Sequence, residues 1–165
     1  MSEGFVSSIL IGTAFRSINC LGYSNLELEK IERLYNVEIK GQFKSFLIEM
    51  GKSDGGLIGD YSIQLYRPAW RVREHLLFQV DFFNQMQEEG FYDFLNKPFV
   101  FSLISETQYY FLQTSLDNHD VVYHYDSNNE LVKMTDWDLV NFMKMLVAEN
   151  KGVLLPESEG DILKI

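Results

Sequence analysis

The apolar pattern of this sequence changes its period near Gly90, and that change constrains the fold more than any other feature. Before Gly90, apolar residues recur at helical spacing; after it, short β-branched and aromatic segments alternate with turn residues. Ser24-Asn-Leu-Glu27 has the spacing of a capping box, and Leu28, Ile31, Leu34 and Tyr35 follow at three- and four-residue intervals, predicting a helix over about 25–36. Phe43, Phe46, Leu47 and Met50 predict a second helix over about 41–50, stopped by Gly51. Ile63 and Leu65 predict a short strand ended by Pro68. The longest helix is expected over about 69–88, with Val72, Leu76, Phe83 and Met86 near one face, Leu77, Val80 and Phe82 widening it, and Gly90 ending it.

Strands are then expected over about 99–101, 108–114, 121–125 and 130–134, the last two joined by a hairpin-like turn, Asp126-Ser-Asn-Asn129. Thr135-Asp-Trp-Asp138 is a further capping arrangement before the stripe Leu139, Phe142, Met143 and Leu146. Helices followed by hairpin-linked strands argue for an α+β fold: one domain, a mixed or antiparallel sheet of about four to six strands, N-terminal helices and a closing C-terminal helix. The domain is expected over 1–150, with 151–165 as a loosely attached acidic tail.

Composition narrows the function. At 165 residues the chain is long enough for one core, and 15% aromatic residues make that core rich in large rings. The single cysteine, Cys20, excludes an internal disulfide framework and a cysteine-based zinc site, which fits a reducing compartment. The stretch 5–15 is apolar, but no basic residue precedes it and no convincing cleavage site follows, so it reads as an amphipathic element packed on the core. No apolar run is long enough to span a bilayer. A cytoplasmic protein without membrane attachment is expected. Residues 1–80 carry nine basic and nine acidic side chains, whereas 81–165 carry five and fifteen, supplying the whole net charge of −10. Such a surface disfavours nucleic acid and attracts basic partners.

A search for chemistry finds no constellation. Gly51-Lys52-Ser53 lacks the earlier glycine of a phosphate loop, because Phe46 stands there. His119 and His124 lie near Asp117, Asp120 and Asp126, yet that composition is ordinary for a turn. The 126–131 segment begins like a calcium loop but has Leu131 where glycine is needed. His75 reads as a surface or half-buried residue of the long helix. Cys20 has no histidine nearby in sequence, and no serine sits in a Gly-x-Ser-x-Gly elbow. Glu88-Glu89 and Asp136/Asp138 read as a solvated helix end and start. No enzyme activity, cofactor or metal is expected.

Ile31-Glu-Arg-Leu-Tyr, Val37-Glu-Ile, Phe43-Lys-Ser-Phe-Leu and Asp54-Gly-Gly56 together resemble the core signature of the SUKH superfamily (Smi/Knr-like domains). Pro98-Phe-Val-Phe-Ser102, Tyr109-Tyr-Phe-Leu112 and Val122-Tyr-His-Tyr-Asp126 follow in the family's order, so the resemblance covers about 25–150. Lys40 and Gly41 stand where the family often has proline, removing a restricted helix entry. The resemblance implies a binding protein without shared catalytic residues. Many bacterial members are immunity proteins that neutralise a cognate polymorphic toxin, often a nuclease or deaminase, whereas eukaryotic members serve regulatory interactions. Within the family turn, Asp54 is expected to bond the backbone while Gly55 or Gly56 takes positive φ, a structural role.

With that resemblance in view, Asp117, Asp120, Asp126, Glu130, Asp136 and Asp138, opposed only by Lys133, form the expected partner face. The expected partner is a basic protein toxin, and Tyr123 or Trp137 is a candidate anchor. Reversing Asp120, Asp126 and Glu130 is expected to weaken binding without lowering the melting temperature. Alternatives are a regulatory or scaffold module with an endogenous partner, and a small-molecule role marked by a deep polar pocket. Exposed strand edges allow either a monomer or a homodimer.

Overall fold

The computed structural model describes residues 4–13, 15, 18–150 and 153–165; residues 1–3, 14, 16, 17, 151 and 152 of the expectations above fall outside this range. Among the described residues five α-helices and four strands follow in the order α1 (Phe5–Leu10), α2 (Asn25–Tyr35), α3 (Gly41–Met50), α4 (Val72–Glu88), β1 (Pro98–Ile104), β2 (Gln108–Gln113), β3 (Val121–Asp126), β4 (Leu131–Asp138) and α5 (Leu139–Glu149). The strands form one antiparallel sheet in the order β1-β2-β3-β4. This is the α+β fold that the change of period predicts.

Helices cover both faces of the sheet. On one face, Phe5 and Ile9 of α1, Phe43, Phe46, Leu47 and Met50 of α3, and Phe142, Met143 and Leu146 of α5 pack with Phe99, Phe101, Leu112 and Val122. On the other, Phe82 and Met86 of α4 pack with Val100, Phe111, Tyr123 and Tyr125. Double coverage explains why Phe111 and Leu112, adjacent on β2 and facing opposite ways, are both buried. A bulge shifts the β1–β2 register between Val100 and Ser102. The α4 amide of Gln79 answers the Val100 backbone there, accepting its N–H at 3.0 Å and donating to its carbonyl at 2.7 Å.

The capping signal at 24–27 operates as read, and α3 ends before Gly51 although that glycine keeps a negative φ of −66°. Glu27 N–H donates to Ser24 Oγ at 3.2 Å and Ser24 N–H to Glu27 Oε1 at 3.0 Å, completing the capping box. The missing proline before α3 is compensated from a distance. Asp120 Oδ1 accepts the Gln42 N–H at 2.8 Å, capping α3 from 78 residues away.

Four expectations require correction. The 63–65 strand is reduced to one bridge between Ile63 and Ser102 followed by a 3₁₀ turn, Gln64–Tyr66, because the buried Tyr66 hydroxyl is drawn to the Met50 carbonyl at 2.7 Å. Thr135 belongs to β4, its hydroxyl donating to the Val122 carbonyl, and Asp138 alone caps α5 by accepting the Asn141 N–H at 2.9 Å. Helix α4 buries His75, Phe82 and Met86, while Val72, Leu76 and Phe83 are half-buried and turn away from the sheet. His75 is therefore neither a surface nor a half-buried residue.

The fourth correction concerns the C-terminal segment. Residues 153–165 run across the body and are fastened by backbone bonds, Leu155 N–H to the Gly56 carbonyl at 2.8 Å and Gly160 N–H to the Lys52 carbonyl at 2.9 Å. Ile162 is buried, and its N–H donates to the Tyr23 hydroxyl at 2.9 Å. Pairing of otherwise unsatisfied backbone groups holds this acidic segment to the core.

Candidate functional site

Two acidic sites are singled out by the sequence, Asp54 in its glycine turn and the six acids between Asp117 and Asp138, and they occupy opposite environments. The Asp54 side chain is fully buried in the turn after α3. Its carboxylate accepts N–H groups from Gly56 at 2.8 Å, Ile58 at 2.8 Å and Gly59 at 2.9 Å. Gly55 and Gly56 both adopt positive φ, +66° and +95°. A Cβ on Gly56 would lie 2.2 Å from the Leu155 carbonyl oxygen, so the docked C-terminal segment also requires glycine there. The arrangement organises the loop and offers no surface to a ligand.

The six acids between Asp117 and Asp138 separate into two groups. Asp120 and Asp138 meet at Gln42: besides capping α3 through Asp120, Gln42 donates Nε2–H to Asp138 Oδ2 at 2.9 Å and accepts the Val140 N–H at 3.0 Å. This network ties the N-termini of α3 and α5 together. Asp126 holds its hairpin, with Oδ1 accepting the N–H of Asn128 at 3.0 Å and of Asn129 at 3.1 Å. The Asn129 side-chain amide, followed by these and the Gln108 donors, keeps its carboxyl below the usual range despite an opposing desolvation effect. Asp117, Glu130 and Asp136 are exposed and form no ion pair among the described residues. Three of the six acids, Asp120, Asp126 and Asp138, are thus tied into the scaffold while remaining partly accessible. Because these bonds would be lost, reversing Asp120 and Asp126 is expected to lower the melting temperature rather than leave it unchanged.

Of the three outward acids, Asp136 lies on β4, Glu130 directly precedes it and Asp117 lies in the β2–β3 loop; the outer edge of β4 pairs with no strand among the described residues. Leu131 is 62% exposed and Met134 57% exposed on this strand. Beside them, Tyr110, His124, Lys133, Met134, Thr135, Asp136 and Trp137 line an open recess of about 370 Å³. Tyr110 stacks on His124 at 4.8 Å between ring centroids, and Trp137 packs edge-on to Phe142 at 5.8 Å. Tyr123 is buried under α4 and is withdrawn as an anchor; half-buried Trp137 reaches the recess wall. The Tyr110–His124 floor is not apparent along the chain because the two residues meet through the β2–β3 register. Period-two alternation on each strand is the signal that reveals it.

The remaining titratable groups do not converge. His124 Nε2 lies 2.6 Å from Gln108 Oε1, and burial, then Lys133, pushes its pKa down against the opposing effect of Asp126. His119 Nδ1 lies 3.1 Å from Asp120 Oδ1. Burial, then Asp54 and Glu49, raises the Cys20 thiol to about 11, leaving it protonated and a poor nucleophile near neutrality. Lys52 pairs with Glu27 at 3.2 Å, and Glu89 accepts the Tyr125 hydroxyl at 2.7 Å. Among the described residues no three His, Cys, Asp or Glu side chains gather to hold a metal, and no helix is long and apolar enough to cross a membrane. Comparisons with protein-family profiles, characterised proteins and solved structures find no match for this chain.

Proposed function

We propose that this chain is a SUKH-like immunity protein, a binding module that neutralises a basic cognate toxin, such as a nuclease or deaminase, by covering its active or substrate-binding surface. One observation carries the reading: among the described residues β4 has an unpaired edge, with Leu131 and Met134 exposed on it and the outward acids Glu130 and Asp136 beside them along the chain. Exposed apolar residues near outward acids suit a protein partner, and an unpaired edge adds backbone donors and acceptors. The acids speed encounter with a basic surface through long-range attraction. The neighbouring recess, with Trp137 and Asp136 on its wall, suits an arginine or lysine side chain from that partner. The sequence resemblance supplies the toxin class.

The test is capture of partners at low salt on the tagged full chain, identification of the captured protein, and its expression in a host with and without this chain. The expected result is growth inhibition relieved by coexpression, a one-to-one complex, and loss of that complex when Asp117, Glu130 and Asp136 are together changed to lysine. Recovery of an endogenous complex that is not toxic replaces this reading with a regulatory or scaffold module. Unimpaired binding by the triple variant removes β4 from the interface.

A further inference from the structure

The C-terminal segment holds the start of α4, and the helical turn that it holds contains a buried histidine. The Lys164 carbonyl accepts the Val72 N–H at 2.6 Å, satisfying the first of the backbone donors that a helix start leaves without a partner. Arg71 Nη1 donates to the Ile165 carbonyl at 2.6 Å, and Lys164 Nζ to the Pro68 carbonyl at 3.3 Å. Gly160 approaches the Leu65 carbonyl too closely to carry a side chain. Asp161 and Leu163 line one recess with Val72 and Leu76, which stand three residues before and one after His75 on α4.

His75 is 4% exposed, and its Nε2 is buried without a hydrogen-bond partner among the described residues. Neutral imidazole tolerates that setting, since an unpartnered ring nitrogen costs far less than an unpartnered buried charge. Imidazolium does not. Trp70 packs edge-on to the ring at 5.2 Å and carries the Arg67 guanidinium at 5.2 Å from its own ring. The charged neighbours divide: Arg67 in the preceding loop and the positive end of α4 oppose a proton, whereas Asp161 on the C-terminal segment and Glu74 on α4 favour it. Burial outweighs the two acids and holds the pKa down at about 4. Proton uptake near pH 6 therefore requires the ring to reach water, and the first turn of α4 opens once the Lys164 carbonyl leaves Val72. We propose that His75 makes the C-terminal segment an acid-released latch: proton uptake frees residues 160–165 together with the first turn of α4, while the sheet stays folded. Release uncovers the seat of Ile162 and the hydroxyls of Tyr23 and Tyr35, which bond its backbone in the closed state. The latch uses no residue of β4 and holds or fails independently of the toxin reading.

The test is amide hydrogen exchange of the full chain followed by NMR at about pH 7.5 and about pH 5, where unperturbed carboxylates stay ionised. Protection factors divide out the intrinsic pH dependence of exchange. The Gly160, Ile162 and Val72 N–H groups are expected to be less protected than those of Phe111 and Leu112 in the sheet at both pH values. Their protection should fall ~20-fold on acidification, the ratio set by a histidine pKa of 6.5 when open and about 4 when closed. His75→Leu should reduce that fall to below ~2-fold while keeping Gly160 protected at the higher pH, whereas His124→Gln leaves the fall in place. Equal protection of segment and sheet at each pH overturns the proposal, because the two then open as one unit. A change below ~3-fold in the unaltered chain also overturns it, and this reading stands even if His75→Leu does not fold. A full fall retained in His75→Leu assigns the release to another group and overturns the role of His75.

Discussion

Asp54 and Asp136 are the same residue in opposite situations, and the contrast separates architecture from binding in this molecule. Asp54 is buried with three backbone N–H donors on its carboxylate, whereas Asp136 is exposed beside a recess and an unpaired strand edge. A buried carboxylate persists only when its charge is matched by donors, so Asp54 is committed to the turn. An exposed carboxylate keeps its hydration and remains available to a partner. Asp120 and Asp138 stand between these extremes, partly accessible yet committed to helix ends. Acidity alone therefore does not mark a binding face; the donors already spoken for must be subtracted.

The strongest test of this contrast is Asp54→Ala. It strands the N–H groups of Gly56, Ile58 and Gly59 in the interior and is expected to cost about 3–5 kcal/mol in urea unfolding. A loss below about 1 kcal/mol would show that the turn does not depend on its carboxylate. Gly56→Ala comes next, at about 3 kcal/mol, since it combines positive φ with a clash against Leu155. Limited proteolysis should then cut within 153–165 first, and unchanged protection of that segment contradicts its docking on the turn.

His75 sharpens the comparison from the other side, being buried with Nε2 unpartnered among the described residues. Burial is the main cause that lowers its pKa to about 4, with Arg67 adding to the shift and Asp161 and Glu74 opposing it. The unfolded chain takes up this proton near 6.5 and the folded chain only near 4, so the contribution is fully present above pH 6.5 and is lost as pH falls towards 4. At pH 4.5 the loss is on the order of 2 kcal/mol. His75→Leu should flatten this part of the stability–pH curve, and parallel curves for the two proteins exclude it. The smallest effects separate the acids of the β3–β4 region. Asp120→Ala should cost about 1 kcal/mol through the α3 cap, while Asp136→Lys should stay within about 0.5 kcal/mol, both read from denaturant midpoints. Equal losses would erase the distinction between capping and outward acids.

Much of this architecture is legible in the chain because its causes are short-ranged. Ser24 and Glu27 are three residues apart, and the Phe43, Phe46, Leu47 and Met50 quartet lies within one helix, so α2 and α3 follow from capping and period. Short aromatic and β-branched segments with intervening turns likewise determine the meander. The candidate site is less legible. Its acids are visible in sequence, but their roles depend on partners such as Gln42, which lies 78 residues from Asp120 and 96 from Asp138.

The sequence by itself determined α2 to α5, the four strands of the meander, the Asp54 turn and the acidic bias of the second half, since each rests on local hydrogen bonds, local period or composition. Only the tertiary structure decided which face of α4 is buried, which acids are committed, and that 153–165 docks. Both apolar faces of α4 satisfy the same periodicity, and the sheet selects one by offering Phe111 and Tyr125 to Phe82. The C-terminal segment has no pattern of its own and takes its place from the backbone of Lys52 and Gly56. Local spacing records what a residue is able to do, and long-range packing determines which of those capacities remains open to a partner.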